Sequence, residues 1–425
     1  MLRKIVFWVH LAAGLLAGVV IAVMSFTGAA LAFEKELVSW SERDVRHVEI
    51  PNQSAQRVPL KEVLERMREL QPEARPSGIT VYAEPSAAIA ISIGRDSVYY
   101  ANPYTADIHK PQSSRVRDFM HLMESWHRFL GLGGESTRPI GKAITGACNL
   151  AFCFLALSGL FLWWPRNWSW RGLKAVAVFN FRLLGRARDF NWHNSVGLWT
   201  APILIVLTLT AIPMSYRWGN ALVYRITGTE PPSQVRGSVP NASSPGLTIP
   251  PQTPGAKPAS YDALLATVEN ENPGWTEITF RLGNLRGPSG PRRDGQSAPN
   301  NSERPQSPPS EQREPRNVNS EPRQRTPQPI TVTVRTADQW PLFSTTTLSL
   351  DPFTGSVLRK ETFADQNGGR RLRSWTRFLH TGEALGFVGK LFAAVACIGA
   401  LLLVWTGLAL SWRRFFPRSS RKPQA

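Results

Sequence analysis

Five of the seven histidines in this chain fall in or beside long apolar runs, where an imidazole without a partner is costly to keep. His10 opens His10-Leu-Ala-Ala-Gly14-Leu15 and His193 opens His193-Asn-Ser-Val-Gly197-Leu198, each at the start of a run and with glycine and leucine at the same offsets. Seventeen residues after each histidine stands a threonine, Thr27 or Thr210, followed by a small residue, Gly28 or Ala211. His10 lies six residues beyond Lys4 and His193 four beyond Asp189. Helix rise therefore sets both imidazoles roughly 6–9 Å inside the same boundary. A neutral imidazole binds iron through one ring nitrogen while its other N–H is held by an acceptor, and two on facing helices complete the axial positions of a b-type haem. Ala12, Ala13, Gly14, Ala17 and Gly18, with Gly197, are small enough to line a slot for such a macrocycle.

A second set lies towards the opposite ends of the runs. His127 belongs to the amphipathic stretch Phe119-Met-His121-Leu-Met-Glu-Ser-Trp-His127-Arg128-Phe-Leu130, and His380 closes Trp375-Thr-Arg377-Phe-Leu-His380. His121 competes with His127, because six residues along a helix turn it about 120° away. Arg128 and Arg377 are candidates to pair with haem propionates. Taken singly, each histidine is explained by an interfacial, hydrogen-bonded imidazole. Matched depth, a matched local motif and a second set on the opposite side together favour haem, two per chain, with His10, His193, His127 and His380 as axial ligands. The tryptophans at run ends, Trp8, Trp163, Trp164, Trp199, Trp218 and Trp412, read as an aromatic belt without a redox role.

The elements that must position these residues are membrane spans. No charged residue occurs from Ile5 to Phe33, Ala143 to Pro165, Phe190 to Tyr216 or Leu391 to Trp412, and each run meets the roughly 20 residues that cross a bilayer. The expected spans are 5–33, 142–164, 190–216 and 390–412. Lysine and arginine accumulate before the first, in the loop 165–189 and in the tail 413–425, which sets those segments and both termini in the cytoplasm. The net charge of +18 is this topology signal plus an arginine-rich linker rather than a sign of nucleic-acid binding. Ala30-Leu-Ala32 resembles a cleavage site, but the run before it is too long for a signal core and matches the third run, so it is read as a retained helix. Cys148, Cys153 and Cys397 fall inside spans as small apolar residues, and without Cys-x-x-Cys-His no c-type haem is attached.

The chain reads as a tandem duplication of span, soluble domain and span. Ser125-Trp-His-Arg-Phe-Leu130 is answered by Ser374-Trp-Thr-Arg-Phe-Leu379, Gly141-Lys142 by Gly389-Lys390, and Asn102-Pro-Tyr-Thr105 by Asp351-Pro-Phe-Thr354. In that alignment Thr376 stands where His127 does and Gly131 where His380 does, so these two histidines are not sequence equivalents. The outside segments are expected as two small α+β domains, 34–118 and 217–370, the first followed by an interfacial helix, 119–141, and the second by an interfacial segment, 371–389. Helices are expected over Leu60–Leu70 and Tyr261–Val268, and strands over 78–82, 87–93, 97–101, 275–282, 330–335 and 344–350. Residues 283–328, rich in Pro, Arg, Ser, Asn and Gln, are expected as a disordered insertion, and 229–258 as an extended linker.

With His10, the His127-Arg128 pair, His193 with Gly197, and Leu379-His-Thr-Gly-Glu383 in hand, the chain resembles the PepSY-associated transmembrane family over nearly its whole length, the outside domains resembling divergent PepSY domains. The resemblance implies a multi-pass bacterial inner-membrane protein that carries b haems and moves electrons across the membrane to a ferric siderophore. A quinol or a cytoplasmic flavoprotein would be a separate electron donor, since neither a flavin nor a nicotinamide domain is present. A non-redox regulator or scaffold binding a peptide or protease is the competing class. A transporter or copper site using the same histidines ranks below it, because apart from Pro202 and Pro213 the spans lack carboxylates and helix breaks.

Overall fold

Lipid leaves a backbone no outside hydrogen-bond partner, so an apolar run of this length must satisfy its own N–H and C=O groups as a helix. In the computed structural model, which describes residues 1–52, 54–94, 97–111, 115–164, 169–231, 249, 256–282 and 327–416, each charge-free run does so. Along the chain come α1 (Leu2–Leu31), α2 (Glu34–Ser41), α3 (Arg43–Arg46), α4 (Leu60–Leu70), β1 (Pro76–Tyr82), β2 (Ile89–Ile93), β3 (Ser97–Ala101), β4 (Ile108–His109), α5 (Arg115–Phe129) and α6 (Arg138–Trp163). Then follow α7 (Trp170–Ala177), α8 (Gly185–Ser215), α9 (Arg217–Ile226), α10 (Tyr261–Glu271), β5 (Trp275–Arg281), β6 (Ile330–Thr336), β7 (Thr346–Leu350), β8 (Val357–Glu361), α11 (Gly368–His380) and α12 (Gly386–Phe415). The insertion 283–328 and the linker 229–258 lie almost wholly outside the described residues, as do the end of the tail 413–425 and part of the loop 165–189.

Among the described residues, α1, α6, α8 and α12 are long and apolar enough to span a membrane, each running a few residues past the expected run into its polar flanks. They form a four-helix bundle in which α1 and α8 each pack against α6 and α12. Small residues set the closest crossing. Ala396 and Ala400 are buried against Leu204, and a Cβ on Gly399 would stand 2.5 Å from Thr200 Cγ2. One end of the bundle is tied by its basic flanks. Arg3 donates to the carbonyls of Leu162 and Trp164, Arg188 and Arg413 approach the fully buried Asp189 at 2.8 and 3.2 Å, and Arg414 lies over Phe7 and Trp8.

At the other end the helix expected over 119–141 is interrupted by a turn between α5 and α6. Leu130 (φ 54°) and Gly131 (φ 75°) end α5 in the left-handed region, and the chain turns before Pro139 opens α6. The return path is tight, because a Cβ on Gly141 would meet Phe129 O at 2.1 Å. The turn from α11 into α12 has the same form, with Gly382 at φ 75° and a Cβ on Gly389 falling 2.2 Å from Gly382 O.

The two segments between spans, 34–118 and 217–370, are not separate. Their strands form one antiparallel sheet in the order β4-β3-β2-β1-β5-β6-β7-β8, joined where β1 pairs β5 from Gly78↔Arg281 to Tyr82↔Glu277. Alternation along each strand turns Ile79, Val81, Ile89, Ile91, Ile278, Phe280, Val332, Val334, Leu348 and Leu350 to one face, where α4 and α10 complete a single core. Helix α10 also caps α4, since Asp262 Oδ1 accepts from Leu60 N–H at 2.6 Å. Short edge strands β4 and β8 follow the expected turns. Glu42, between α2 and α3, is buried and accepts from Tyr100 Oη (2.8 Å), Arg46 (3.0 Å) and Arg117 (2.6 Å), linking α2, β3 and α5.

Candidate functional site: two histidine pairs in the bundle

His10 on α1 and His193 on α8 stand at the tied end of the bundle, and each has its Nδ1 on a hydroxyl of the neighbouring helix. Ser158 Oγ on α6 lies 2.8 Å from His10 Nδ1, and Thr406 Oγ1 on α12 lies 2.9 Å from His193 Nδ1. Both hydroxyls also reach carbonyls of their own helices, Ser158 Oγ to Phe154 O (2.6 Å) and Thr406 Oγ1 to Leu402 O (2.7 Å). With the hydroxyl protons directed at those carbonyls, each oxygen accepts from Nδ1–H, the tautomer that keeps a lone pair on Nε2 and in which imidazole binds a metal.

Both rings line a cavity of about 850 Å3 inside the bundle, within the range of pockets that hold small molecules and cofactors. The lining stripe is His10-x3-Gly14-x3-Gly18 on α1 and His193-x3-Gly197-x3-Ala201 on α8, positions that share one helix face. Ala12, Ala13 and Ala17, expected in the slot, lie off this stripe and do not line it. Gly159 and Gly407 back the rings, with Cβ positions 3.6 Å from the Cε1 atoms of His10 and His193. Arg3, Lys4, Arg186 and Arg414 also line the cavity, at the tied end.

The second pair lies towards the sheet. The rings of His127 and His380 have centroids 6.3 Å apart at 53° to one another. His127 Nδ1 donates to Met24 O (2.9 Å), with Thr27 Oγ1 at 3.1 Å, and His380 Nδ1 donates to Leu207 O (2.9 Å). A carbonyl can only accept, so these rings too carry the proton on Nδ1 and the lone pair on Nε2. Met24 and Leu207 are both fourteen residues beyond His10 and His193. The structure thus brings together two histidines that the local alignment separates by four residues, about one helical turn, which keeps them on the same helix face. That centroid separation is comparable with the roughly 6 Å that two metal–nitrogen bonds of about 2 Å plus half a ring on either side would span. Gly28 keeps the space beside the His127 ring open, its Cβ position being 3.2 Å from Cε1.

The remaining candidates are placed elsewhere. His121 lies within electrostatic reach of Glu34 on α2, whose carboxyl is pushed up by burial and by Glu124. Arg128 pairs with Glu124 and lies over Phe129, while Arg377 lies over Phe378 on the exposed side of α11. Ser158, Thr406 and the cavity-lining arginines were not legible as site residues from histidine spacing, although Ser158-Gly159 and Thr406-Gly407 each stand sixteen residues beyond the matched lysines, Lys142 and Lys390. Among the described residues no three His, Cys, Asp or Glu side chains converge as a bare-metal site. A macrocycle that brings four nitrogens of its own would need only two imidazoles, and the inner pair lines a cavity of suitable size.

A family model described as the PepSY-associated TM region matches residues 7–414. No curated protein matches the chain.

Proposed function

The chain belongs to the PepSY-associated TM family, and on that premise we propose that it is a haem b reductase of the bacterial inner membrane that passes electrons to a periplasmic ferric siderophore and so releases iron. The observation that supports this reading is the placement of four histidines: at both ends of one bundle, each Nδ1 lies 2.8–2.9 Å from a bundle oxygen, an arrangement that suits Nδ1–H donation and Nε2 ligation. A bound haem supplies one-electron chemistry at an iron whose potential follows its axial ligands and burial.

The chain's own residues do the rest. Ser158 and Thr406 hold the inner imidazoles, Met24, Thr27 and Leu207 hold the outer ones, and the glycine stripes leave a slot between the helices. Met24 is fourteen residues from His10, so the two pairs are separated by roughly 21 Å along α1. That spacing suits electron entry on one face of the membrane and exit on the other. Reduction frees the iron because oxygen ligands that hold ferric iron tightly bind ferrous iron much more weakly. The basic bundle end faces the cytoplasm by the positive-inside rule, with both termini there, and receives electrons from a quinol or flavoprotein donor. The sheet, as two fused PepSY-like units of a tandem duplication, faces the periplasm.

The test is an absorption spectrum of the detergent-purified protein before and after dithionite, with haem quantified per chain. About two haems and sharp reduced α and β bands are expected, falling to about one haem in His10→Ala or His193→Ala. A protein that stays colourless after expression with ample haem would replace this reading with a non-redox regulator or scaffold that binds a peptide or protease.

A further inference from the structure

The sheet carries an apolar prominence that the other described residues leave uncovered. Between β6 and β7 the chain reverses through Asp338-Gln-Trp-Pro-Leu-Phe343. Phe343 is buried in an aromatic nest, stacked on Phe378 with centroids 4.3 Å apart and edge-on to Trp375 and Phe363. Ser344 closes the turn, its N–H and Oγ both donating to Pro341 O, at 2.8 and 2.6 Å. This scaffold leaves Trp340 68% and Leu342 52% exposed.

Isolated exposed apolar residues are ordinary, but these two are continuous with a larger surface. Leu342 Cδ1 lies 3.5 Å from the Cβ position of Gly386, the first residue of α12. From there Phe387, Val388, Leu391, Phe392, Val395 and Ile398 continue down the span as exposed apolar side chains, the surface that a spanning helix gives to lipid. Trp340 also packs edge-on to Trp375 of α11, centroids 6.5 Å apart. The last residue of α11, His380, reaches Leu207 O, eight residues inside the end of α8, or about 12 Å by helix rise. The loop therefore rests where the lipid-facing surface begins, the level at which tryptophan is favoured in a membrane.

We infer that the Trp340–Leu342 tip inserts into the leaflet on the sheet's side of the membrane, a lipid anchor that seats the sheet on the helix carrying His380. A rigid tip with an amphipathic indole and a leucine suits the boundary between headgroups and acyl chains. The inference uses the membrane-spanning bundle and does not depend on haem.

The test places nitrobenzoxadiazole on Leu342→Cys, and separately on Trp340→Cys, in the full chain reconstituted in phosphatidylcholine–phosphatidylglycerol vesicles. Dye-treated native protein serves as the blank for the three cysteines in the spans. Ser356→Cys, exposed in the β7–β8 turn at the opposite end of the strands, is the reference. At 340 and 342, lipids spin-labelled high on the acyl chain should quench the dye several-fold more than at 356, and aqueous iodide several-fold less. Iodide quenching equal to that at 356 without lipid quenching would overturn the anchor. Shielding from both quenchers would overturn it too, in favour of a protein partner such as a second copy. The second labelled position keeps the test decisive if one variant fails to fold.

Discussion

Four imidazoles each set Nδ1 within 2.9 Å of a bundle oxygen, a hydroxyl for His10 and His193 and a carbonyl for His127 and His380. On the haem reading, the Thr406 hydroxyl would orient an axial histidine and tune its basicity, so Thr406→Val should weaken haem retention at the inner pair by about 10- to 100-fold. Titrating haem into the apo variant measures it, and the outer pair should be unaffected. Glu42 is the counterpart outside the spans. Burial alone would raise its carboxyl, but hydrogen bonds from Tyr100, Arg117 and Arg46 outweigh that and hold it below the ordinary glutamate value. A depressed folded value means that its stabilisation is fully present above the unfolded value of about 4.3 and is lost as pH falls through the lower folded value. Thermal melts of the wild type should thus lose stability below about pH 4, and Glu42→Gln, which strands two arginines, should cost about 3 kcal/mol at neutral pH and flatten that acid limb.

At the level of elements, two helical hairpins depend on glycines that no other residue can replace. Gly141 and Gly389 let α6 and α12 pass against the turns that follow α5 and α11, with an added Cβ only 2.1 and 2.2 Å from a backbone oxygen. Backbone cannot yield as a side chain tip can. Gly141→Ala and Gly389→Ala should each destabilise by about 1–3 kcal/mol and displace the neighbouring outer histidine. Gly133→Ala, where nothing lies within 4 Å, should be close to neutral in the same melts.

For the whole molecule, the consequential feature is the seam between β1 and β5, where Thr80 and Thr279 share a hydrogen bond at 2.9 Å and the helices α4 and α10 cover both sides of the join. Sheet halves fused in this way should open together. Hydrogen exchange should therefore give β1 and β5 equal protection, and Asp262→Ala, on α10, should lower protection in the first turn of α4 by about 1 kcal/mol. Unchanged exchange in α4 would show that the halves are energetically independent.

The amino-acid sequence by itself determined the four spans, because a charge-free run of sufficient length has only one low-energy form in lipid, and it determined most strands through the alternation of apolar residues. It also marked His10 and His193, whose flanking motifs repeat, and it grouped His127 and His380 as a second set although they do not align within the repeat. Only the tertiary structure decided that these last two face one another, since a shift of one helical turn breaks an alignment while preserving a helix face. Ser158 and Thr406 were equally hidden, because a hydroxyl in a span looks like any residue bonded to its own helix until a ring arrives from another. The single sheet was likewise beyond local reading: edge pairing between β1 and β5 is a contact across about two hundred residues, and no local pattern distinguishes an edge strand that will be covered from one that will not.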